Sequence, residues 1–142
     1  MELLPGLAIS ASGLTAERLR LDLISGNLAN IYTTRTAQGG PYRRKVAVFA
    51  ERIKEAMGSP GPQAPGYGVH VAGIVEDNTP PRLVYDPTHP DADAQGYVAL
   101  PNINVVNEMI DLITASRAYE ANVTAFNAAK AMALKALEIG RV

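Results

Sequence analysis

The segment from Asp86 to Asp93 holds the side chains with the clearest capacity for chemistry. Asp86, His89, Asp91 and Asp93 offer carboxylate oxygens and one imidazole within a short stretch. Such a set can coordinate a divalent cation, so a metal-dependent enzyme is one hypothesis. Asp-Pro and His-Pro steps interrupt the same stretch, however, and such steps commonly build turns. The pattern favours a turn-rich loop, and we predict no bound metal and no cofactor.

Other catalytic chemistry has little support in the sequence. The chain has two histidines and no cysteine, which excludes thiolate nucleophiles, disulfides and Cys-ligated zinc. It contains no GxSxG, HExxH or P-loop motif. Gly39-Gly40-Pro41 precedes a basic run, but a phosphate cradle needs a strand before the loop and a helix after it. We therefore predict a protein that is not an enzyme and has no small-molecule substrate.

The composition narrows the remaining classes. The chain has 142 residues, of which 47 % are hydrophobic, and its formal net charge is −1. That charge is unlike the strong basic excess of a general nucleic-acid binder. No run of 18 apolar residues is present, so no membrane helix is expected. The first residues lack the basic start and apolar run of a cleaved signal peptide, so we expect export, if any, by another route.

Glycine and proline divide the chain into three parts. Of the 22 residues of these two types, 17 fall between Gly39 and Pro101. Because proline interrupts helices, this distribution predicts a helix, an irregular or β-rich middle, and a second helix. We predict an α+β fold with three regions: 1–34, 35–101 and 102–142. Strands are expected over 42–49, 69–75, 82–85 and 97–100, where β-branched and aromatic residues lie between turn signals.

The terminal regions carry apolar residues at helical spacing. Leucines recur every seven residues near the N-terminus, and apolar residues step by three and four near the C-terminus. The second helix would be about 50 Å long, which calls for another long helix beside it. We predict an antiparallel coiled-coil hairpin whose core between helices and between subunits comprises Leu7, Leu14, Leu21, Leu28, Met109, Leu112, Tyr119, Val123 and Phe126.

Polar residues flank these two helices and interrupt the second one. Asn27 and Asn30 are placed to close the first helix, while Asn104 or Asn107 can cap the second, which Gly140 ends. The segment from Ser116 to Asn122 mixes small and polar residues and suits packing against neighbouring helices. The polar assembly positions that we predict are Asn27, Asn30, Asn104, Asn107, Glu108, Arg117, Glu120 and Asn122.

Charge is also partitioned within the middle region. Residues 35–54 carry a net charge of +5, and residues 76–93 carry a net charge of −4. These stretches are either two solvated faces or complementary patches between copies of the chain. On the second interpretation, the electrostatic contacts would be made by Arg43, Arg44, Lys45, Asp91 and Asp93.

Two sets of motifs resemble a known family. Ser12-Gly13-Leu14 followed by Asn27-Leu28-Ala29-Asn30 is similar to the N-terminal signature of the bacterial flagellar basal-body rod protein family, the rod and hook axial proteins. The run from Asn104 to Ile113, continuing into Arg117–Asn122, resembles their C-terminal signature. The segments Gly40–Lys45 and Asp86–Ala92 resemble one branch, the proximal rod.

The resemblance implies a structural role. Axial proteins of this kind pair their terminal helices into a coiled-coil core, assemble helically into a hollow rod, and transmit torque to the hook. The resemblance also implies partners and location: copies of the chain, other rod proteins, the flagellar type III export apparatus, and the basal body in the cell envelope. A coiled-coil adaptor or export chaperone of the same system is the alternative, and it would form a stoichiometric complex instead of a growing polymer.

Overall fold

The computed structural model describes residues 3–51 and 68–140. It contains two helices, α1 (Leu3–Ala29) and α2 (Val105–Ile139). Four strands lie between them: β1 (Lys45–Glu51), β2 (Val69–Glu76), β3 (Arg82–Tyr85) and β4 (Tyr97–Leu100). Two long terminal helices with a small β-rich middle confirm the predicted α+β class. The Gly- and Pro-rich stretch 58–68 lies outside the described residues except for Gly68.

The two helices run antiparallel along each other. Gly13 faces Asn122 and Asn27 contacts Glu108, so the chain directions are opposite. At about 1.5 Å per residue, the 27 residues of α1 span about 40 Å and the 35 residues of α2 span about 52 Å. Neither described helix combines the length and hydropathy that a membrane span requires.

Local chemistry explains where the helices begin and end. The Asn104 Oδ1 accepts hydrogen bonds from the backbone N–H groups of Val106 (3.0 Å) and Asn107 (3.3 Å), which satisfies two donors at the start of α2. Gly140 follows the last helical residue and donates its N–H to Ala136. At the end of α1, the Asn30 Nδ2 donates to the Gly26 carbonyl oxygen (2.9 Å).

The strands form two separate antiparallel hairpins. β1 pairs with β2, with a bulge between Val48 and Phe49, and β3 pairs with β4. The predicted strand regions are confirmed, although β1 begins three residues later than expected, because residues 42–44 belong to the approach from α1. The β1–β2 hairpin lies against α1, where the Ser12 Oγ accepts a hydrogen bond from the Val69 N–H (3.0 Å).

Few side chains are fully buried among the described residues. On the helices the buried apolar positions are Ala16, Ile24 and Ala115, and near the second hairpin they are Val98 and Ile103. Two polar residues, Asn27 and Glu108, are as deeply buried, each at 1 % exposure. Small residues let the helices approach closely, but they contribute little apolar area to the stability of one chain.

Candidate functional site: a polar joint at one end of the helix pair

A cluster of polar groups joins α1, β1 and α2 at one end of the helix pair. We call it the polar joint; it comprises the side chains of Asn27, Tyr42, Arg44, Glu108 and Asp111 and the backbone of Lys45. Asn27 lies in the last turns of α1, and Glu108 and Asp111 lie in the first turns of α2. Tyr42 and Arg44 belong to the segment that leads into β1.

Asn27 makes the greatest number of contacts in the polar joint. Its Nδ2 donates to the Lys45 carbonyl oxygen (3.0 Å) and to the Glu108 Oε2 (3.1 Å). Its Oδ1 accepts from the Lys45 N–H (2.9 Å) and from the Tyr42 hydroxyl (3.1 Å). An asparagine amide offers two donor and two acceptor positions, and all four are used here. A buried amide with complete partners avoids the cost of unsatisfied polar groups.

A buried ion pair lies beside this amide. The Arg44 Nε donates to the Glu108 Oε1, and the Arg44 Nη2 donates to the Asp111 Oδ2 (3.1 Å). The Asp111 Oδ1 is also 3.8 Å from the Arg20 Nη2 of α1. Both oxygens of the Glu108 carboxylate therefore have a donor. This matters because a charge at 1 % exposure is costly unless it is paired and hydrogen-bonded.

Tyr42 is a titratable group in the polar joint. Burial, followed by the negative charges of Glu76 and Glu108, raises the pKa of the Tyr42 hydroxyl above its usual value of 10.0. The Lys45 ammonium lies 5.8 Å from the centroid of the Tyr42 ring and 3.7 Å from the Glu76 Oε1. The neutral hydroxyl is therefore the form that this environment favours, and it donates to Asn27.

The aspartates and the histidine between β3 and β4 hold turns. The Asp86 Oδ1 accepts from the Thr88 N–H (3.1 Å) and hydroxyl (2.6 Å), and these hydrogen bonds lower the pKa of the Asp86 carboxyl. The His89 Nδ1 accepts from the Asp91 N–H (3.1 Å). The Asp93 Oδ1 accepts from the N–H groups of Gln95 and Tyr97 (2.8 Å each). The loop interpretation therefore accounts for these side chains.

Asp91 also ties this loop to the end of α1. Its carboxylate accepts from the Thr34 hydroxyl (2.8 Å) and from the Arg35 Nη2 (2.5 Å). Across residues 3–51 and 68–140, no group of three or more His, Asp or Glu side chains is placed to hold a metal ion. The four residues considered for a metal site instead organise the β3–β4 connection and its contact with residues 34 and 35.

The predicted apolar core residues fall into two groups. Leu7, Leu14, Leu21 and Leu28 of α1 are half-buried, as are Leu112, Tyr119 and Phe126 of α2. Met109 and Val123 are exposed, at 52 % and 36 %. Within one chain, the leucine series lies beside the most buried helix positions, which are Ala16, Ile24, Asn27, Glu108 and Ala115. The role of the nine residues between subunits stays a prediction.

The predicted polar assembly residues also separate by location. Asn27 and Glu108 lie in the polar joint, Asn30 and Asn104 act at helix ends, and Asn122 is half-buried against Gly13. Asn107, Arg117 and Glu120 are exposed on α2. Capping was one expectation for Asn27, but its side chain bonds β1 and α2 instead, because its partners lie 18 and 81 residues away in sequence.

The charged residues considered for contacts between copies are largely engaged within the chain. Arg44 bonds Glu108 and Asp111, Lys45 lies near Glu76, and Asp91 pairs with Arg35. The basic and acidic stretches therefore meet one another inside one chain. Arg43 differs from Arg44: it is exposed, and its Nη1 donates to the Asn78 Oδ1 (2.6 Å).

A continuous apolar strip runs along the exposed side of α2. Val106, Ile110 and Ile113 follow one another at helical spacing, with Met109 beside them, and each is between 52 % and 64 % exposed. Arg117 and Glu120 continue the same side of the helix toward its C-terminus. We call Val106, Met109, Ile110 and Ile113 the outer strip. Contiguous exposed apolar surface is typical of interaction sites.

Sequence reasoning missed three contributors to the polar joint: Tyr42, Asp111 and the Lys45 backbone. A signal for the joint was nevertheless present in the sequence. Gly13, Arg20 and Asn27 are spaced by seven, and so are Glu108, Ala115 and Asn122. On each helix, this series of small and polar residues runs beside the series of apolar residues. They define the line along which the two helices meet.

The comparisons with known proteins agree with this architecture. Residues 94–139, which include β4 and all of α2, match the family model described as the flagellar basal body rod FlgEFG protein C-terminal region. The C-terminal third of the chain therefore resembles flagellar basal-body rod proteins.

Full-length relatives give the particular family. The chain is 49 % identical over 98 % of both chains to a flagellar basal-body rod protein FlgC from Borreliella burgdorferi. It is 49 % identical to the FlgC of Bacillus subtilis, over 95 % of this chain and 96 % of that protein, and 43 % identical to that of Salmonella typhimurium, over 99 % and 100 %. The chain belongs to the FlgC family of flagellar basal-body rod proteins.

Proposed function

We propose that this chain assembles helically with copies of itself and with other flagellar rod proteins into the hollow proximal rod, which transmits torque and encloses the export channel. Family membership gives the role of a structural rod subunit. The outer strip supports the finer proposal, because it leaves four large apolar side chains of α2 in water in a single chain. Burying such surface against a neighbour is favourable by roughly 25 cal/mol per Å².

The composition of the outer side of α2 indicates the kind of contact. Arg117 and Glu120 follow the outer strip on the same side and would make polar contacts at its border. An apolar strip that meets a different surface of the next copy gives a heterologous contact, and such contacts propagate into helical assemblies. In this proposal Met109 belongs to the core between subunits, together with the half-buried leucines of α1. The role is structural and involves no catalysis.

Export in an unfolded form through the flagellar type III apparatus is part of the proposal. The chain contains no cysteine, so no disulfide has to be reduced before passage. Gly13 and Gly26 lie inside α1 and lower its intrinsic helix propensity by about 1 kcal/mol each relative to alanine. A helix that is weak alone becomes stable when partners cover it. The expected site of action is the basal body.

Filament growth tests the assembly proposal. Sedimentation and electron microscopy of the purified full chain at increasing concentration should show polymers. Ile110→Lys should abolish them while changing the free energy of unfolding of the single chain by no more than about 0.5 kcal/mol, because the side chain is exposed. Gln95→Lys adds the same charge in the β3–β4 turn and serves as the matched control.

The outcomes separate the proposal from the adaptor or chaperone alternative. A polymer that persists in Ile110→Lys would reject the outer strip as the assembly surface. A discrete 1:1 or 2:2 complex with one partner, without growth at any concentration, would favour an adaptor or export chaperone. Loss of polymer in Gln95→Lys as well would show a general effect of charge and contradict the assignment to α2.

A further inference from the structure

The Asn27 side chain occupies the position that a neighbouring strand would take beside β1. Its amide accepts from the Lys45 N–H (2.9 Å) and donates to the Lys45 carbonyl oxygen (3.0 Å). This pair of opposed bonds is the pattern of a hydrogen-bonded residue pair between antiparallel strands. The preceding residue, Arg44, uses its carbonyl oxygen on the opposite side, where it accepts from the Asp77 N–H (2.8 Å). Asn27 therefore provides the hydrogen-bond partners of Lys45, the first residue of β1, on the edge of this strand that faces away from β2.

The same amide is also held by α2. The second Nδ2 hydrogen of Asn27 is donated to the Glu108 Oε2 (3.1 Å), and the Glu108 Oε1 accepts from Arg44, which precedes β1. These hydrogen bonds form a closed circuit. Asn27 of α1 bonds both β1 and α2, and Glu108 of α2 bonds Arg44, the residue before β1. Because Asn27 and Glu108 are each 1 % exposed, water cannot easily replace a missing member.

We infer that Asn27 is a positioning residue, and that the β1–β2 hairpin docks in one orientation only while α1 and α2 are paired. Separation of the helices removes Glu108 from the circuit. That leaves an Asn27 donor and the Arg44 guanidinium without their buried partner. In that state the hairpin keeps its own hydrogen-bond ladder and its bonds to α1, but it loses the two Glu108 bonds that hold Asn27 and Arg44 in place. This inference concerns a single chain and goes beyond the assembly proposed above.

Distance measurements between spin labels test the inference directly. The chain has no cysteine, so pairs of introduced cysteines are labelled without competition. Val48→Cys on β1 and Ala121→Cys on α2 report the orientation of the hairpin, since both residues are exposed. The parent chain should give one narrow distance. Asn27→Asp should give a broad distribution, because it replaces both Nδ2 donors with an oxygen facing the Lys45 carbonyl and the Glu108 carboxylate.

Two further variants separate positioning from general destabilisation. Asn30→Asp is the matched control, since the Asn30 side chain bonds only Gly26 and Thr33, and it should keep the narrow distance. Asn27→Asp combined with Glu108→Gln restores a donor between α1 and α2 and keeps the net charge, so it should narrow the distribution again. Amide exchange of β1 and β2 should stay slow in each variant, which shows that the hairpin remains formed.

The dependence on helix pairing is tested in the parent chain with a second label pair, Ala11→Cys and Ala121→Cys, which reports the separation of α1 and α2. A third pair, Ala11→Cys on α1 and Val48→Cys on β1, reports the hairpin relative to α1 alone, since both residues are exposed. On addition of denaturant, the Ala11–Val48 distance should broaden at the same concentration as the Ala11–Ala121 distance. An Ala11–Val48 distance that stays narrow after the helices separate would overturn the inference. So would an Asn27→Asp distribution as narrow as that of Asn30→Asp. If Asn27→Asp fails to fold, the denaturant series on the parent chain still tests whether the orientation of the hairpin depends on helix pairing.

Discussion

Gly13 of α1 lies directly against the side chain of Asn122 of α2. A Cβ atom at position 13 would lie 3.0 Å from both the Nδ2 and the Oδ1 of Asn122. The Asn122 side chain is itself held, because its Nδ2 donates to the Ala118 carbonyl oxygen (3.0 Å). The contact between these two residues therefore sets the distance between α1 and α2 at this level. For a substitution at position 13, the available space matters more than the helix propensity of the new residue.

We expect Gly13 and Gly26 of α1 to respond differently to alanine. Gly26→Ala should stabilise the chain by about 0.5–1 kcal/mol, because the new Cβ would lie 3.9 Å from the Tyr42 hydroxyl, an ordinary contact. Gly13→Ala should be less favourable than Gly26→Ala by about 1 kcal/mol or more, because Asn122 must move. Chemical denaturation of both variants measures the difference, and equal stabilisation would show that Asn122 yields without cost.

The adjacent arginines before β1 should differ strongly in their contribution to stability. Arg44→Ala leaves the buried Glu108 carboxylate without its cation, and breaking a buried pair in this way costs about 3–5 kcal/mol. Arg43→Ala removes an exposed side chain and should cost no more than about 0.5 kcal/mol. Urea unfolding monitored by circular dichroism compares them. Similar losses for the two variants would contradict the assigned burial of the Glu108–Arg44 pair.

Alkaline pH should weaken the polar joint through Tyr42. Its pKa in the folded chain is raised above the unfolded value of 10.0. The stabilisation from the hydroxyl is therefore complete below pH 10 and is lost as pH rises through the folded pKa. Tyr42→Phe should cost about 0.5–1.5 kcal/mol at neutral pH, since one hydrogen bond to Asn27 is removed.

The measurement for Tyr42 is the unfolding free energy of the parent and of Tyr42→Phe between pH 8 and 11. The difference in unfolding free energy between the parent and Tyr42→Phe should become smaller above pH 10, because only the parent has a tyrosine hydroxyl at position 42 to ionise. A difference that stays constant across the range would mean that Tyr42 titrates as it does in the unfolded chain.

Arg43 retains a predicted role between copies of the chain. Because it is exposed and Arg44 is not, charge reversal at Arg43 tests the electrostatic interpretation without disturbing the polar joint. Arg43→Glu should weaken polymer formation and reduce its dependence on salt, since exposed charge pairs are screened by ions. Turbidity from low to high salt provides the measurement. Polymer formation with the salt dependence of the parent would exclude Arg43 from the contacts.

The helices and strands were predictable because their signals are local. Asn104, the alanine-rich run before Gly140 and the β-branched runs between turns all act through neighbours in sequence. The polar joint was not predictable in the same way, since Asn27 meets its partners across 18 and 81 residues. An asparagine near a helix end also suits capping, so its residue type alone cannot distinguish the two uses.

The helix contact shows a similar limit. A leucine every seven residues predicts a long paired helix, and the long helices are confirmed. The pattern does not say which of several parallel series lies at the centre of the contact. Gly13 lies there, against Asn122, because a residue without a side chain permits closer backbones, while the leucines are half-buried. Distinguishing these series requires the register between α1 and α2, which depends on contacts far apart in the chain.

The register between α1 and α2 makes the two ends of the helix pair chemically different. With Gly13 opposite Asn122 and Asn27 opposite Glu108, Leu3 at the described start of α1 is level with about residue 132. The last turns of α2, with Leu134, Leu137 and Ile139 exposed, reach past it. One end holds the ion pair and amide of the polar joint, and the other presents exposed leucine and isoleucine side chains. In the proposed assembly, copies stacked end to end would form a column with an intrinsic direction, because its two ends would present chemically different surfaces.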